Sequence, residues 1–464
     1  MKHAARIFLL VTAAALLAHY LPIGWHILTA TRQRAPFVNY SDTGAGFLFI
    51  RMEGAGGNTR FYYADAAGRT LERDTFESLL PLTYHAQLYK NGAMPKEIGG
   101  VALSPGALRR EQFTLRVRPG QLDTPRVPLH PVFETGDGRA RLEPPPDFMR
   151  ITGAAAPSGS GLPPLSEKRQ ETAPTPPPPA TQASRRRAIE FLDPQTNTIL
   201  PEKSALYSDA FARARFVFPV TAAGSNPTAR KPYDEGLYLA DADGQTFLLR
   251  QTRGQPVLLR VADHAADPAA WRALRPRHII VNEIETRELR ALIIDADGKP
   301  WLAVGENHRL VPLPVTRYDP TADTLSLRGN LLHRLLVVQT APAPGAAPVL
   351  EAIALDRDYR VLARHHETLP DPAARPAARA GQMLFPLVWW LADDTSGYLG
   401  FHARVTPRDL LPAALALNAL LLAAHLLLLR RRKTLSATRL PDLAATAALG
   451  LCGLLPALLL PRAD

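Results

Sequence analysis

Tyr238-Leu239-Ala240-Asp241-Ala242-Asp243-Gly244 and Ile293-Ile294-Asp295-Ala296-Asp297-Gly298 are near copies of one another. Tyr62-Tyr63-Ala64-Asp65-Ala66-Ala67-Gly68 is a third member, and Ile189-Glu190-Phe191-Leu192-Asp193-Pro194 and Ala354-Leu355-Asp356-Arg357-Asp358 are looser ones. Each reads as a strand, a tight acidic or glycine turn, and a second apolar run. Asp-Gly supplies the positive φ that tight hairpin turns need. From residue 190 onward the members recur at intervals of roughly 50 to 60 residues, a spacing typical of propeller blades or another repeated β array. The expected fold is therefore mainly β, with a repeated-hairpin, propeller-like central region.

Working outward, short β-branched and aromatic runs recur between turn residues: Phe47-Leu48-Phe49-Ile50, Phe61-Tyr62-Tyr63, Arg215-Phe216-Val217-Phe218 and His278-Ile279-Ile280-Val281. These predict strands. Ser204 to Ala214, where charged and apolar residues interleave, predicts a helix. The stretch 143–187 interrupts the pattern with Pro144-Pro145-Pro146, Ser158-Gly159-Ser160-Gly161 and Pro176-Pro177-Pro178-Pro179. It reads as a linker or an inserted loop. It divides the β part into regions 35–142 and 188–405, either two domains or one domain with a long insertion.

Three apolar stretches lie toward the ends of the chain. Residues 1–30 carry Lys2 and Arg6 ahead of an apolar run, the pattern of a signal anchor or signal peptide. No small-x-small cleavage motif follows, so an uncleaved anchor is expected. Residues 409–429 match the ~20 residues needed to cross a bilayer. Asn418 and His425 are their polar members, expected either to pack on another helix or to form an intramembrane proton or partner site. Residues 443–461 predict a further span. The intervening loop, 430–442, holds Arg430-Arg431-Arg432-Lys433 and Arg439 and should stay in the cytoplasm. The last two stretches then form a transmembrane hairpin, and the β region and the extreme C-terminus fall outside. The expected location is the inner membrane, with the bulk of the chain periplasmic. The cytoplasmic remainder is too small for a kinase, cyclase or ATPase.

The chain has 464 residues, a formal net charge of +11, 44 prolines and one cysteine. The positive charges are scattered apart from Arg185-Arg186-Arg187 and the 430–433 cluster, so no nucleic-acid partner is expected. Cys452 lies in a terminal apolar stretch, which leaves the β region without disulfides, thiolate metal sites or a cysteine nucleophile.

The candidate chemistry is sparse. The Asp-Ala-Asp-Gly turns at 241–244 and 295–298 resemble the start of a calcium loop but lack its distal ligands, and read as hairpin turns. His365-His366-Glu367 is a tight histidine cluster, yet adjacent strand residues point to opposite faces, which disfavours a shared zinc ion. Glu283 and Glu285, two apart on an expected strand, would share a face and could act as acid and base, but Arg287, Glu288 and Arg290 follow them, which favours a solvated charged strand. Trp389-Trp390 before Asp393-Asp394 suits packing on the membrane-proximal stem, with a sugar or peptide groove as the alternative. Gly44-Ala45-Gly46 and Gly54-Ala55-Gly56-Gly57 are too short for phosphate loops and precede no helix. No catalytic, cofactor-binding or metal residue is assigned, and no cofactor is expected.

Several stretches resemble a known family. They are Asn226-Pro227-Thr228-Ala229-Arg230-Lys231-Pro232-Tyr233-Asp234-Glu235-Gly236; Phe191-Leu192-Asp193 with Glu202-Lys203-Ser204-Ala205; Arg328-Gly329-Asn330-Leu331-Leu332; and Leu80-Pro81-Leu82 to Tyr89, then Met94-Pro95. Together they resemble the DUF4857 family of Bacteroidota membrane proteins, over about 35–405. The resemblance carries no catalytic residues. Its members are often encoded beside ABC-transporter components, which implies a permease or ATPase as partner. The expected function is a membrane-anchored, non-enzymatic accessory or binding protein of the envelope. The alternatives are a stand-alone periplasmic ligand-binding module and an envelope hydrolase using the Glu283/Glu285 pair.

Overall fold

The computed structural model describes residues 2–29, 35–55, 58–83, 88–89, 91–92, 94–122, 129–135, 144–145, 147–151, 188–341, 346–370, 375–393, 399–434 and 436–460. Arg32, Arg34, Gly56, Gly57, Asp394, the proline-rich stretch 152–187 and residues 461–464 lie outside them.

Among the described residues, five antiparallel sheets of four or five strands make up most of the β part, and Glu97–Ile98 with Val101–Ala102 and Leu387–Asp393 with Leu399–Val405 form two small two-stranded sheets. Sheet I holds Phe37–Tyr40, Phe47–Ala55, Asn58–Asp65 and Thr70–Leu71. Sheet II holds Leu129–Pro131, Phe148–Ile151, Ile189–Asp193 and Thr198–Ile199; sheet III holds Ala222–Gly224, Leu237–Ala240, Thr246–Thr252 and Gln255–Arg260. Sheet IV is Pro276–Val281, Leu289–Asp295, Pro300–Val304 and Arg309–Pro312. Sheet V adds Phe113–Val117 to Thr324–Gly329, Arg334–Gln339, Val349–Leu355 and Val361–Thr368. Sheets II and V both take strands from either side of the 143–187 stretch.

The sheets pack face to face. Phe191 of sheet II meets Leu239 and Leu249 of sheet III, with Tyr207 and Phe211 of the Pro201–Arg213 helix filling the gap. Tyr238 and Leu248 of sheet III meet Ile279 and Ile293 of sheet IV. Leu292 and Leu302 of sheet IV meet Leu327 and Ile353 of sheet V, and Leu335 and Ala352 of sheet V meet Val38 and Phe49 of sheet I. A strand covered on both faces needs apolar residues at every position. That is why Ala291–Ile294 reads as an apolar run and the strand is buried from Leu289 through Ile294, the buried Arg290 within it being paired with Glu235. Val361–Thr368, at the edge of sheet V, alternates instead.

The five sequence repeats supply one turn to each of the five larger sheets. In each, the aspartate carboxylate accepts backbone N–H bonds from the far side of the hairpin: Ala67 and Arg69 to Asp65, Gln195 to Asp193, Gln245 to Asp241, Asp297 and Lys299 to Asp295, and Asp358 and Arg360 to Asp356, at 2.7–3.0 Å. These bonds, from Arg69 and Gln195 first of all, hold the Asp65 and Asp193 carboxyls below the usual range. Asp295 also accepts from Trp301 Nε1 at 2.8 Å. Asp295→Ala is therefore expected to lower stability by ~1–2 kcal/mol, the net worth of one or two such bonds, and Asp295→Asn by less, as read from denaturant midpoints.

Arg215-Phe216-Val217-Phe218, expected as a strand, joins none. Arg215 bends the chain with φ 55°, and the Phe216 and Phe218 rings turn into the cluster around Phe211 and Phe247. The expected helix at 204–214 is present as Pro201–Arg213.

Among the described residues, two helices are long and apolar enough to cross a membrane, one within Lys2–Thr29 and one at Leu411–Arg431. The third stretch is not a single span. It forms two helices, Leu440–Leu449 and Leu451–Leu459, divided at Gly450, which adopts φ 57°. A straight helix would hold residues 445 and 453 ~12 Å apart along its axis. Instead, a Cβ on Gly453 would overlap the Ala445 carbonyl and lie 2.7 Å from the Thr446 nitrogen. The chain therefore reverses at Gly450, and the two short helices lie against each other. Both also contact the N-terminal helix.

Candidate functional site

A cleft of about 380 Å³ opens between the Phe37–Tyr40 strand of sheet I and one end of sheet V. Phe37, Tyr40 and Phe113 supply its aromatic faces, and Asn39, Thr83, Gln112, Thr114, Arg328, Asn330 and His333 its polar lining. Gly329 is required here by close approach, because a Cβ at that position would sit inside the Phe113 ring. The Arg328 guanidinium lies 4.2 Å from the Phe37 ring centroid. It donates to the Val38 carbonyl and, at 3.4 Å, to Asn39 Oδ1.

Beneath the lining, Asp42 is buried. Its carboxylate accepts from the Leu82 backbone N–H and from Asn330 Nδ2, each at 2.9 Å, and His333 Nε2 is 3.3 Å away. Asn330 Oδ1 in turn accepts from the Leu332 and His333 N–H groups at 2.9 Å, which fixes the turn between two strands of sheet V. Burial pushes the Asp42 carboxyl up to about 7 and the His333 imidazole down to about 4, the latter aided by the Arg334 charge. His333 is thus neutral at pH 7 and committed to the floor of the cleft.

Arg334 locks this turn from behind. It is fully buried, grips the Glu288 carboxylate with two N–H groups and donates to the Asn330 and His333 carbonyls. Tyr359 donates to Glu288 Oε1 at 2.7 Å.

A second polar cluster lies between sheets III and IV. Glu235 is fully buried and accepts from Arg250 at 2.8 Å, from Arg290 and from the Tyr238 hydroxyl at 3.2 Å. Burial alone would raise its pKa, but His308, Arg250 and Arg290 together hold it below the usual range. Glu283 accepts from the Glu235 N–H at 2.8 Å and from Lys231 Nζ at 3.1 Å, while Lys231 also serves Asp234 and the Asn226 carbonyl. One cation thus faces two carboxylates, and burial pushes Glu283 up to about 7.

Glu283 and Glu285 do not form a pair. They lie in the turn between two strands of sheet IV, where the alternating strand geometry does not hold, with Glu283 buried and Glu285 exposed. His365 and His366 do point to opposite faces. His365 packs on Phe49, with ring centroids 4.7 Å apart, and His366 is half exposed. Glu367 pairs with Arg51 of sheet I at 2.6 and 2.9 Å. Trp389 packs on the N-terminal helix, donating to the Ala15 carbonyl at 2.9 Å and resting on His19. His425 and Asn418 face the short helices: His425 Nδ1 and Thr446 Oγ1 are hydrogen-bonded at 2.9 Å, and Asn418 abuts Gly450.

Sequence reasoning did not single out Asn39, Asp42 or His333 as site residues, because they become neighbours only through the packing of sheet I on sheet V. A partial signal was present. Two stretches that carry the family resemblance, Leu80–Leu82 and Arg328–Leu332, converge on this cleft, and a third, Asn226–Gly236, builds the second cluster. No curated protein and no solved structure matches the chain. The family model described as a domain of unknown function, DUF4857, matches residues 37–157 and 154–345. With about two thirds of its length covered, the chain belongs to the DUF4857 family.

Proposed function

We propose that this is a membrane-anchored, non-enzymatic binding protein of the cell envelope. In this reading the five sheets are the blades of a propeller-like body on the periplasmic side of the inner membrane, and the cleft is its ligand site. The protein works as an accessory subunit of an ABC-type transporter, the partner that its family resemblance implies.

The observation that carries the anchoring is where charge sits on the helices. Arg6, near the start of the N-terminal helix, grips Asp442 at 2.8 and 2.9 Å, and Arg439 joins the same carboxylate at 2.9 Å. Arg6, Arg430, Arg431, Lys433 and Arg439 therefore gather at one end of the helices. At the other end Trp25 donates to Ala377 at 2.8 Å, on the side where the chain enters the β part. Basic clusters stay cytoplasmic, so this arrangement supports a periplasmic β body. Binding is favoured over catalysis because the histidine of the cleft, His333, is engaged with the buried Asp42 and with Asn330.

Orientation is tested with Cys452→Ser as background. Arg253→Cys, on an exposed turn of sheet III, is expected to react with a membrane-impermeant maleimide on intact spheroplasts. Lys433→Cys is expected to react only after permeabilisation, and the reverse order overturns the reading. Crosslinking in native membranes then separates the two binding roles. Recovery of a permease or ATPase supports an accessory subunit, whereas recovery of this chain alone supports the stand-alone module.

A further inference from the structure

We propose that the cleft between sheets I and V takes a small organic acid, its carboxylate received by Asn39 under the positive field of Arg328 and its apolar body held against Phe37, Tyr40 and Phe113. This rests on the cleft being a binding site and adds the chemical class of its ligand.

Asn39 carries the inference. The residue is 3% exposed, and its Oδ1 accepts from Arg328, which fixes the orientation of the amide. Its Nδ2 then has no hydrogen-bond partner among the described residues. A buried donor left unmet is costly, and this one belongs to a residue that lines the cleft. It calls for an acceptor.

The charge of the lining says which acceptor. Among the described lining residues Arg328 is the ionised side chain, and none of these is a carboxylate. Asp42 lies behind Asn330 and His333, hydrogen-bonded to the first and 3.3 Å from the second. The N–H groups of Arg328 are engaged with Val38 and Asn39, so it contributes charge while Asn39 contributes the hydrogen bond. An anionic oxygen gains from both, a neutral carbonyl from the second alone.

The rest of the cleft is apolar and ring-shaped. The Phe37 ring caps Arg328, Tyr40 packs edge-on to His333 with centroids 5.1 Å apart, and Gly329 leaves room for the Phe113 ring to form a wall. The volume sits at the lower end of the range for small-molecule pockets, ~300–1,000 Å³, which suits a single ring or a short chain.

The test uses the full-length protein in detergent micelles, with benzoate, its neutral isosteres benzamide and benzyl alcohol, and inorganic phosphate as probes. Binding is read by ligand-observed NMR titration. Benzoate is expected to bind at least tenfold more tightly than either isostere, and phosphate to leave the benzoate signal unchanged. Asn39→Asp keeps the shape and replaces the donor by a carboxylate, and is expected to invert the preference so that benzamide exceeds benzoate. An inversion cannot come from misfolding, and Asn39→Ala should weaken benzoate tenfold with the thermal transition retained. Equal binding of benzoate and benzamide, or displacement of benzoate by phosphate, overturns the organic-acid assignment while leaving a binding cleft. Absence of binding by any probe overturns both.

Discussion

Glu235→Ala is expected to destabilise the β body by ~3–5 kcal/mol, the usual cost of leaving buried charges without their partner. Two guanidiniums, a hydroxyl and an imidazole converge on this one carboxylate, and it spans the interface between sheets III and IV. Removing it leaves Arg290 buried near Tyr238 and the sheet IV backbone with no counter-charge among the described residues. Glu235→Gln retains hydrogen bonds and is expected to cost less. The pH dependence has two opposing parts. Glu235 has a depressed folded pKa, so its contribution is present above the unfolded carboxylate value and is lost as pH falls through the folded one. Glu283 is raised to about 7, so its contribution is fully present below the unfolded value and is lost as pH rises through 7. Stability should therefore be greatest in mild acid and decline toward pH 8. In Glu283→Gln the decline between pH 5.5 and 8 is expected to become shallower, the remainder coming from Asp42, whose carboxyl is also raised by burial to about 7. Tryptophan fluorescence melting of full-length protein across that range reads both effects. A flat wild-type profile would remove Glu283 as the source.

The repeated turns were legible because each lies within seven residues of sequence and its chemistry is local. Asp65, Asp193, Asp241, Asp295 and Asp356 bond backbone groups two to four positions away, and nothing distant is needed to place them. The cleft was not legible, since Asn39, Leu82, Phe113 and Arg328 meet only after sheet V has captured a strand from the first part of the chain. The Glu283/Glu285 reading failed for a related reason. An i, i+2 pair shares a face only on a strand, and Arg287, at φ 54° with its N–H on the Ile284 carbonyl, puts this segment in a turn. Hydropathy likewise could not see the reversal at Gly450. An apolar run scores the same whether it continues through the bilayer or folds back on itself, and only backbone geometry separates the two.

That reversal gives the second large effect. Gly453→Leu is expected to separate the two short helices and expose Cys452 to alkylation. Small residues at helix interfaces let backbones approach closely, and here the approach is closer than any side chain permits, with Ala445 O and Thr446 N in the space a Cβ would fill. Neither backbone atom can move aside as a flexible side chain could. The cost of overpacking is ~1–3 kcal/mol where surroundings can shift, and these surroundings are helix backbone. Cys452 sits beside Gly453, is 1% exposed and packs in one cluster with Ala18 and Phe385. In the wild type it should resist N-ethylmaleimide in detergent for as long as the helices stay together. In Gly453→Leu the rate, followed by intact-mass spectrometry, is expected to rise at least tenfold. Leu459→Ala, at an exposed position near the end of the second short helix, should leave it unchanged. Equal slow rates in all three proteins would mean that residues 451–459 do not fold back on 440–449, and the third apolar stretch would again be a candidate single span. A rise confined to Gly453→Leu supports a re-entrant hairpin packed on the N-terminal helix. In that arrangement its tip at Gly450 meets Asn418 and Pro386, where the Leu411–Arg431 helix and the β part adjoin.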